Sequence, residues 1–309
     1  MVKGKPTVES IVFSKGYKLI PYLLYTLSTL LVVLAVISLL GVNGVNFWIT
    51  ITSMGDEAFY VALLPVVYLL VSRDLGFKLI LLFMTSAWIN IVLKSILAMP
   101  RPPRELWLVP ASGYGFPSGH TQSATVFWGY LSYRFRMIPF TIFTVVIVSL
   151  IAYSRVYLGV HYPHDVIGGL TIGLLLLLLA YTIEYKLGNV LRLTYRLKVL
   201  MVMLYSLLLL PVYYTVNSLL IVKVAGLILG GGLGHIIVYE RLKVREEPIL
   251  WRRMLVTVIG MLSVFLCYYT VRKFTNPLIV YSGFTLIGLT ITFIPLILRH
   301  LSEYIVHYK

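Results

Sequence analysis

Continuous apolar runs of about 20 residues recur along the whole chain, and they constrain its fold more than any other feature. A helix of that length spans the ~30 Å hydrocarbon core of a bilayer and hydrogen-bonds its own backbone there. Only 12% of the residues are charged, which is about half the share found in a soluble domain. The sequence therefore predicts an all-α, polytopic membrane helical bundle.

Ten such runs predict ten transmembrane helices. They lie at about 20–41, 56–72, 77–98, 118–135, 137–154, 163–185, 197–215, 218–239, 251–270 and 277–299. The preceding residues, 1–19, are expected to form a cytoplasmic or interfacial segment, because apolar positions there lie opposite Lys15 and Lys18 on a helix.

The basic residues are distributed unequally over the two sides that ten spans define. Of 26 Lys and Arg residues, 19 fall on the side that holds both termini and six on the other. The positive-inside rule then predicts that both termini are cytoplasmic. The formal charge of +15 is thus a topology signal, and nucleic-acid binding is not expected.

Three short segments on the side with few basic residues contain the residues that point to chemistry. The first includes Lys94, in the last turn of the third predicted span, and Arg101, among prolines that end that helix. Cations on a side where topology disfavours them indicate a function.

The second segment, Pro117-Ser118-Gly119-His120, opens the fourth predicted span. Ser118 is expected to be the N-cap, with the free backbone N–H groups of the first turn pointing outward. A helix start of this kind binds anions, and Gly119 allows a phosphate to approach the backbone closely. On its own, the segment would be an ordinary helix cap.

The third segment contains Arg155, His161 and Asp165. His161 and Asp165 are four residues apart at the start of the sixth predicted span, so the carboxylate reaches the imidazole if this turn is helical. A carboxylate that fixes the tautomer of a histidine leaves the far ring nitrogen free to attack.

Together the three segments supply what phosphoryl transfer needs: cations, a helix N-terminus, a nucleophile with an orienting acid, and a second histidine. The sequence shows neither a carboxylate cluster for Mg²⁺ nor the ligand spacing of a Zn²⁺ site. We therefore expect no metal and no other cofactor.

The spacing of these motifs resembles the type-2 phosphatidic acid phosphatase superfamily, which includes lipid phosphatases, glucose-6-phosphatase and vanadium haloperoxidases. The resemblance covers about residues 20–185 and implies a six-helix phosphatase core, and residues 196–309 would add about four transmembrane helices of unknown role. The stretch Met54-Gly55-Asp56-Glu57-Ala58-Phe59 is also similar to prokaryotic members.

The resemblance implies a role for each motif residue. His161 would attack phosphorus and form a phosphohistidine, and Asp165 would hold its ring. His120 would protonate the leaving oxygen and then activate water. The residues that would bind the phosphate oxygens are Lys94, Arg101, Ser118, Gly119 and Arg155.

The expected substrate is a lipid phosphate or diphosphate, with a polyprenyl diphosphate as the first choice, because a site at the extracytoplasmic face can accept a headgroup whose tail stays in the bilayer. A soluble sugar phosphate, as in the glucose-6-phosphatase branch, is the alternative enzyme. A lipid transporter or lipid-binding protein on a phosphatase-like core is the non-enzymatic alternative, to which Lys223 within the eighth span gives some weight. The oligomeric state is left open.

Overall fold

A computed structural model of the protein describes residues 20–41, 44–187 and 193–307, and in this part of the chain all regular structure is helical. The predicted interfacial segment 1–19 lies outside the described residues. The twelve α-helices, numbered α1 to α12 in chain order, are Ile20–Leu39, Gly44–Ser53, Glu57–Val66, Arg73–Leu97, Gly119–Phe135, Ile138–Tyr157, Pro163–Thr182, Tyr195–Leu209, Val212–Val216, Leu219–His235, Leu250–Val271 and Pro277–His307.

Eight described helical segments are long and apolar enough to cross a membrane, and they match eight of the ten predicted spans. The predicted span at 56–72 corresponds to α3 and the π-helical turn Val67–Val71. These two segments are long and apolar enough to cross a membrane only in combination with α2, from which a 49° bend separates them. The predicted span at 118–135 corresponds to α5, which has only 17 residues. Buried polar side chains at its start, including Thr121 and Gln122, make α5 less apolar than the others. The all-α, polytopic fold class is confirmed.

The short helix α2 was not predicted, because its ten residues form no run of spanning length. Trp48 anchors α2 on α6: its ring is 1% exposed and lies 5.0 Å from the ring of Tyr153 and 5.3 Å from that of Tyr157. Ile51 of α2 and Ile151 of α6 belong to the same buried apolar cluster. This packing fixes the position of the residues that follow α2.

The chain forms two compact units, Met1–Phe59 with Leu93–Tyr181 (the first unit) and Tyr60–Val92 with Thr182–Lys309 (the second unit). Residues 60–92 thus group with the later helices, although the resemblance assigns them to the phosphatase core. In the second unit, α10 packs closely on α12, where a Cβ on Gly230 would overlap the carbonyl of Thr285.

Candidate active site

A cavity of about 240 Å³ in the first unit is lined by six of the eight predicted site residues. These six are Lys94, Arg101, Gly119, His120, Arg155 and His161. They come from the end of α4, the loop after it, the start of α5, the end of α6 and the loop before α7. The other two predicted residues, Ser118 and Asp165, are fully buried and contact this group.

His161 lies between a carboxylate and a guanidinium. Its Nδ1 is 3.2 Å from Oδ2 of Asp165, and its Nε2 is 2.9 Å from a terminal nitrogen of Arg101. Because arginine can only donate, Nε2 must accept, and the ring proton therefore lies on Nδ1 and is donated to Asp165. The imidazole is thus held in the tautomer whose Nε2 lone pair lies at the cavity.

The imidazole of His161 favours its neutral form. Burial lowers its pKa below the ordinary value, the hydrogen bond that Nδ1–H donates to Asp165 opposes this, and the positive charges of Arg101, Arg155 and Lys94 lower the pKa further. A neutral imidazole with a free lone pair is the form that acts as a nucleophile.

Asp165 is held by the first turn of α7 and by the start of α5. Its Oδ2 also accepts the backbone N–H of Tyr162 at 2.9 Å, and its backbone carbonyl accepts the N–H of Ser118 at 2.9 Å. The exposed His164 places Nε2 at 3.2 Å from Oδ1 of Asp165. These contacts fix the carboxylate beneath His161 and connect it to the loop before α5.

Ser118 occupies the predicted N-cap position, but its hydroxyl does not cap the helix. It accepts a hydrogen bond from the hydroxyl of Thr121 at 3.1 Å instead. Ser118 is thus the N-cap residue by position, and its hydroxyl leaves the backbone N–H groups of the first turn of α5 without a side-chain cap. Gly119 lines the cavity as expected.

Arg101 and Lys94 hold the loop between α4 and α5 against the cavity. The guanidinium of Arg101 donates to the carbonyls of Ser112 at 3.0 Å and Gly113 at 3.1 Å, and the ammonium of Lys94 donates to that of Gly115 at 2.9 Å. The two cations thus shape the cavity wall as well as its charge.

Arg155 is 5% exposed and faces the cavity from the end of α6. One terminal nitrogen donates to the hydroxyl of Thr52 at 2.6 Å, whereas the buried Nε–H has no acceptor within the described part of the chain. A buried donor without a partner is costly, which favours an anionic ligand in the cavity that accepts from it.

His120 has a carboxylate partner that was not assigned from the sequence. Its Nε2 lies 2.8 Å from Oδ1 of Asp56, in the turn between α2 and α3. Gly55 makes this approach possible, since a Cβ there would lie 2.9 Å from Cδ2 of His120. The only signal in the sequence was the resemblance of the stretch around Asp56 to prokaryotic family members.

Among the described residues, no group of three or more His, Cys, Asp or Glu side chains is placed to hold a metal ion. The acidic and imidazole groups of this cavity instead form two pairs, His161 with Asp165 and His120 with Asp56. The basic side chains provide the positive charge of the cavity.

Several known proteins are similar to parts of this chain. Phosphatidylglycerophosphatase B of Bacillus subtilis (strain 168) is 37% identical over 120 residues, which are 36% of this chain and 59% of that protein. Human sphingosine-1-phosphate phosphatase 2 is 31% identical over 139 residues, 42% of this chain and 35% of that one. Mouse glucose-6-phosphatase 3 is 28% identical over 161 residues, 41% of this chain and 45% of its own length.

The crystal structure of a transmembrane PAP2 type phosphatidylglycerolphosphate phosphatase from Bacillus subtilis aligns with 60% of this chain and 94% of its own. The TM-score is 0.43 and the identity 24%. Among the sequence relatives, the similarity is also partial, because the matched part of this chain covers 59% of the bacterial protein and 35% of the human one.

The sequence model of the PAP2 superfamily matches residues 75–189. All eight predicted site residues, from Lys94 to Asp165, lie within this range. The resemblance inferred from the motifs is thereby confirmed, and the segment 75–189 of this multi-pass membrane protein belongs to the PAP2 superfamily.

Proposed function

We propose that the protein is a metal-independent membrane phosphatase that hydrolyses a lipid phosphate or diphosphate through a phosphohistidine on His161. The observation that carries this proposal is the placement of the His161 Nε2 lone pair in a cavity lined by Arg101, Arg155 and Lys94. Nucleophile, orienting acid and phosphate-binding cations are the groups that phosphoryl transfer requires.

In the first step, Nε2 of His161 forms a bond to phosphorus while the bond to the leaving oxygen breaks. Arg101, which donates to Nε2 in this structure, turns to the phosphate oxygens and releases the lone pair. Protonated His120 transfers its proton to the leaving oxygen. Asp165 accepts from Nδ1–H and stabilises the positive charge that develops on the imidazole.

In the second step, neutral His120 accepts a proton from water as the water oxygen attacks phosphorus. The bond between phosphorus and Nε2 breaks, and its electron pair returns to His161. The products are inorganic phosphate and the dephosphorylated lipid, or the lipid monophosphate if the substrate is a diphosphate. His120 is then protonated again, ready for the next cycle.

Two observations support a lipid over a soluble substrate. Large apolar side chains are exposed in the segment that carries Lys94 and Arg101, among them Ile96 and Leu97 at the end of α4 and Leu106 in the following loop. The names of the bacterial and human relatives also refer to phosphorylated lipids. A polyprenyl diphosphate is our first candidate, because its diphosphate can enter the cationic cavity while its chain stays in the bilayer.

A sugar phosphate is the second candidate, which the match to mouse glucose-6-phosphatase 3 supports.

In our proposal, both termini are cytoplasmic and the cavity opens at the extracytoplasmic face. The six-helix core would span residues 20–185, and residues 196–309 would add helices of unknown role.

A substrate panel in detergent tests this proposal: phosphatidate, phosphatidylglycerophosphate, a polyprenyl diphosphate and glucose 6-phosphate, each assayed for phosphate release in excess EDTA. We expect the polyprenyl diphosphate to have the highest kcat/KM and EDTA to leave the rate unchanged. Orthovanadate should inhibit, because its five-coordinate form resembles the transition state. Absence of phosphate release from every substrate would favour the transporter or binding-protein alternative, and an absolute Mg²⁺ requirement would overturn the mechanism.

A further inference from the structure

The second unit contains a larger cavity, of about 740 Å³, that takes no part in the proposed hydrolysis. It lies where several predicted spans end, since its lining includes Arg73 at the start of α4, Arg252 at the start of α11 and Leu298 near the end of the last span. Ends of membrane-spanning helices mark the boundary between hydrocarbon and headgroups. We propose that this cavity binds the phosphodiester headgroup of an anionic phospholipid from the adjoining leaflet.

Two arginines in the cavity wall form its framework. Arg73 is 8% exposed, donates to the carbonyl of Val244 at 3.0 Å and lies 4.1 Å above the ring of Tyr239. Arg253 donates to the carbonyl of Leu70 at 3.1 Å and to the carboxylate of Glu246 at 3.1 Å. These bonds fix the loop between α10 and α11, so the cavity is preformed.

Two further arginines, Arg245 and Arg252, are exposed at the same cavity. Neither has a hydrogen bond or ion pair among the described residues, and the guanidinium of Arg252 lies 5.4 Å from the ring centre of Trp251. The cavity wall contains four arginines and only two carboxylates, Glu246 and Glu247, so its net charge is positive. The unpaired guanidinium groups are therefore available to a phosphodiester, which accepts hydrogen bonds from both.

Apolar side chains adjoin the cations on the side toward the spans. Trp251 is 62% exposed and Leu255, one helical turn further into α11, is 51% exposed. Aromatic rings of this kind lie at headgroup level in membrane proteins, and leucines in the next turn lie against acyl chains. A headgroup held by Arg245 and Arg252 would thus leave its acyl chains beside Leu255 and Leu298, which suits a phospholipid better than a free anion.

Basic residues at these ends of the spans also follow from the positive-inside rule, so their presence alone does not indicate a bound ligand. A preformed concave site with cations on one wall and apolar side chains on the other goes beyond that rule, since basic cavities between transmembrane helices bind anionic lipid headgroups. The opposite end of α11 offers a matched control: Arg272 and Lys273 are also exposed, and Arg272 likewise lies on an aromatic ring, that of Tyr269 at 4.2 Å.

Native mass spectrometry of the full-length, detergent-purified protein tests the proposal, with phosphatidylglycerol and phosphatidylcholine as probes. We expect the wild type and the control R272Q/K273Q to bind phosphatidylglycerol in preference to phosphatidylcholine. The double variant R245Q/R252Q should lose that preference, with an affinity for phosphatidylglycerol lowered by roughly 30-fold. Hydrolysis of a water-soluble phosphate ester should be unchanged in both variants, so this result is independent of the proposed function.

Three results would overturn the proposal. One is retention of phosphatidylglycerol by R245Q/R252Q at the wild-type level, and another is an equal loss in R272Q/K273Q. The third is displacement of phosphatidylglycerol by inorganic phosphate at equal concentration, since this would assign the site to a free anion.

Discussion

Oδ1 of Asp56 lies 2.8 Å from Nε2 of His120, so each histidine in the cavity of the first unit has its own carboxylate. The two pairs differ in environment. The side chain of Asp165 is fully buried, whereas that of Asp56 is 52% exposed. A buried acid suits a nucleophile that must keep one tautomer, and a solvent-exposed acid suits a histidine that exchanges protons with water during each cycle.

Asp56→Asn should lower kcat by about tenfold to a hundredfold, because His120 loses the partner that orients it and stabilises its protonated form. KM should change little, since Asp56 is not among the residues that line the cavity of the first unit. Steady-state kinetics and the pH profile of kcat measure this, with Asp56→Glu expected to recover part of the rate. Glu57→Gln, an exposed neighbour, is the control. A wild-type kcat and pH profile in Asp56→Asn would contradict the positioning role.

Gly159→Ala should destabilise the protein more than Gly113→Ala. Both glycines have positive φ, +72° and +65°, so both substitutions carry a strain of about 1–2 kcal/mol. A Cβ on Gly159 would also overlap the carbonyl of Leu106, whereas Gly113 has no atom within 4 Å of such a Cβ. We expect a further ~1–3 kcal/mol at Gly159.

The apparent Tm in detergent, followed by tryptophan fluorescence, compares the two variants. Because residue 159 lies two positions before His161, the loss of stability in Gly159→Ala should be accompanied by a loss of turnover. Equal Tm values for the two variants would show that the loop accommodates the methyl group.

The local part of the active site could be predicted from the sequence, and the part that depends on packing could not. Asp165 lies four positions after His161, and the prolines after Lys94 end α4, so these features are close in sequence and could be found there. Asp56 and His120 are 64 positions apart, and Thr52 and Arg155 are 103 positions apart. Both contacts depend on how α2 packs on α6.

The same distinction applies to the fold. Long apolar runs predicted the spanning helices, because spanning length is itself a sequence signal. The ten-residue α2 has no such signal. The grouping of residues 60–92 with the later helices likewise depends on side-chain packing, which hydropathy does not record.

The rate of phosphoenzyme formation should stay high in mildly acidic solution. In the proposed mechanism the attacking form of His161 is the neutral imidazole, and the pKa of His161 lies below its ordinary value of about 6.5, chiefly because of burial. The fraction of neutral imidazole therefore falls only as the pH drops through the lowered pKa, and it remains near one from about one pH unit above that pKa up to pH ~6.5.

Rapid-quench kinetics in a His120→Ala background tests this, because His120 then cannot contribute to the profile. The rates are corrected for ionisation of the substrate phosphate, which ³¹P NMR measures separately. A corrected rate that falls tenfold per pH unit immediately below pH ~6.5 would be inconsistent with the lowered pKa.

Cysteine labelling tests the proposed orientation. In a Cys267→Ala background, Leu108→Cys lies in the loop beside the cavity of the first unit, and Leu242→Cys lies in the loop after α10; both native leucines are about half exposed. In intact cells, an impermeant maleimide should label the first and spare the second, and both should react after lysis. The reverse pattern would place the cavity in the cytoplasm.

The two histidines should respond differently to substitution by alanine. His161→Ala should abolish turnover and the covalent phosphoenzyme, because it removes the Nε2 lone pair that is proposed to attack phosphorus in this cavity. His120→Ala should still form the phosphoenzyme from a substrate with a good leaving group, such as p-nitrophenyl phosphate, since p-nitrophenolate needs little protonation. Hydrolysis of that intermediate should then be slowed by about 10²–10⁴, because water has lost its general base.

Asp165→Asn provides an intermediate case, because it keeps the shape of the carboxylate but can hold the imidazole of His161 in the wrong tautomer. We expect phosphoenzyme formation to slow by up to about 10⁴, without the accumulation of phosphoenzyme that is expected in His120→Ala. Radiolabelled substrate, rapid quenching and analysis at alkaline pH, where phosphohistidine survives, measure all three variants. A phosphoenzyme that forms at the normal rate in His161→Ala would rule out His161 as the nucleophile, and prompt turnover without accumulation in His120→Ala would remove His120 from the second step.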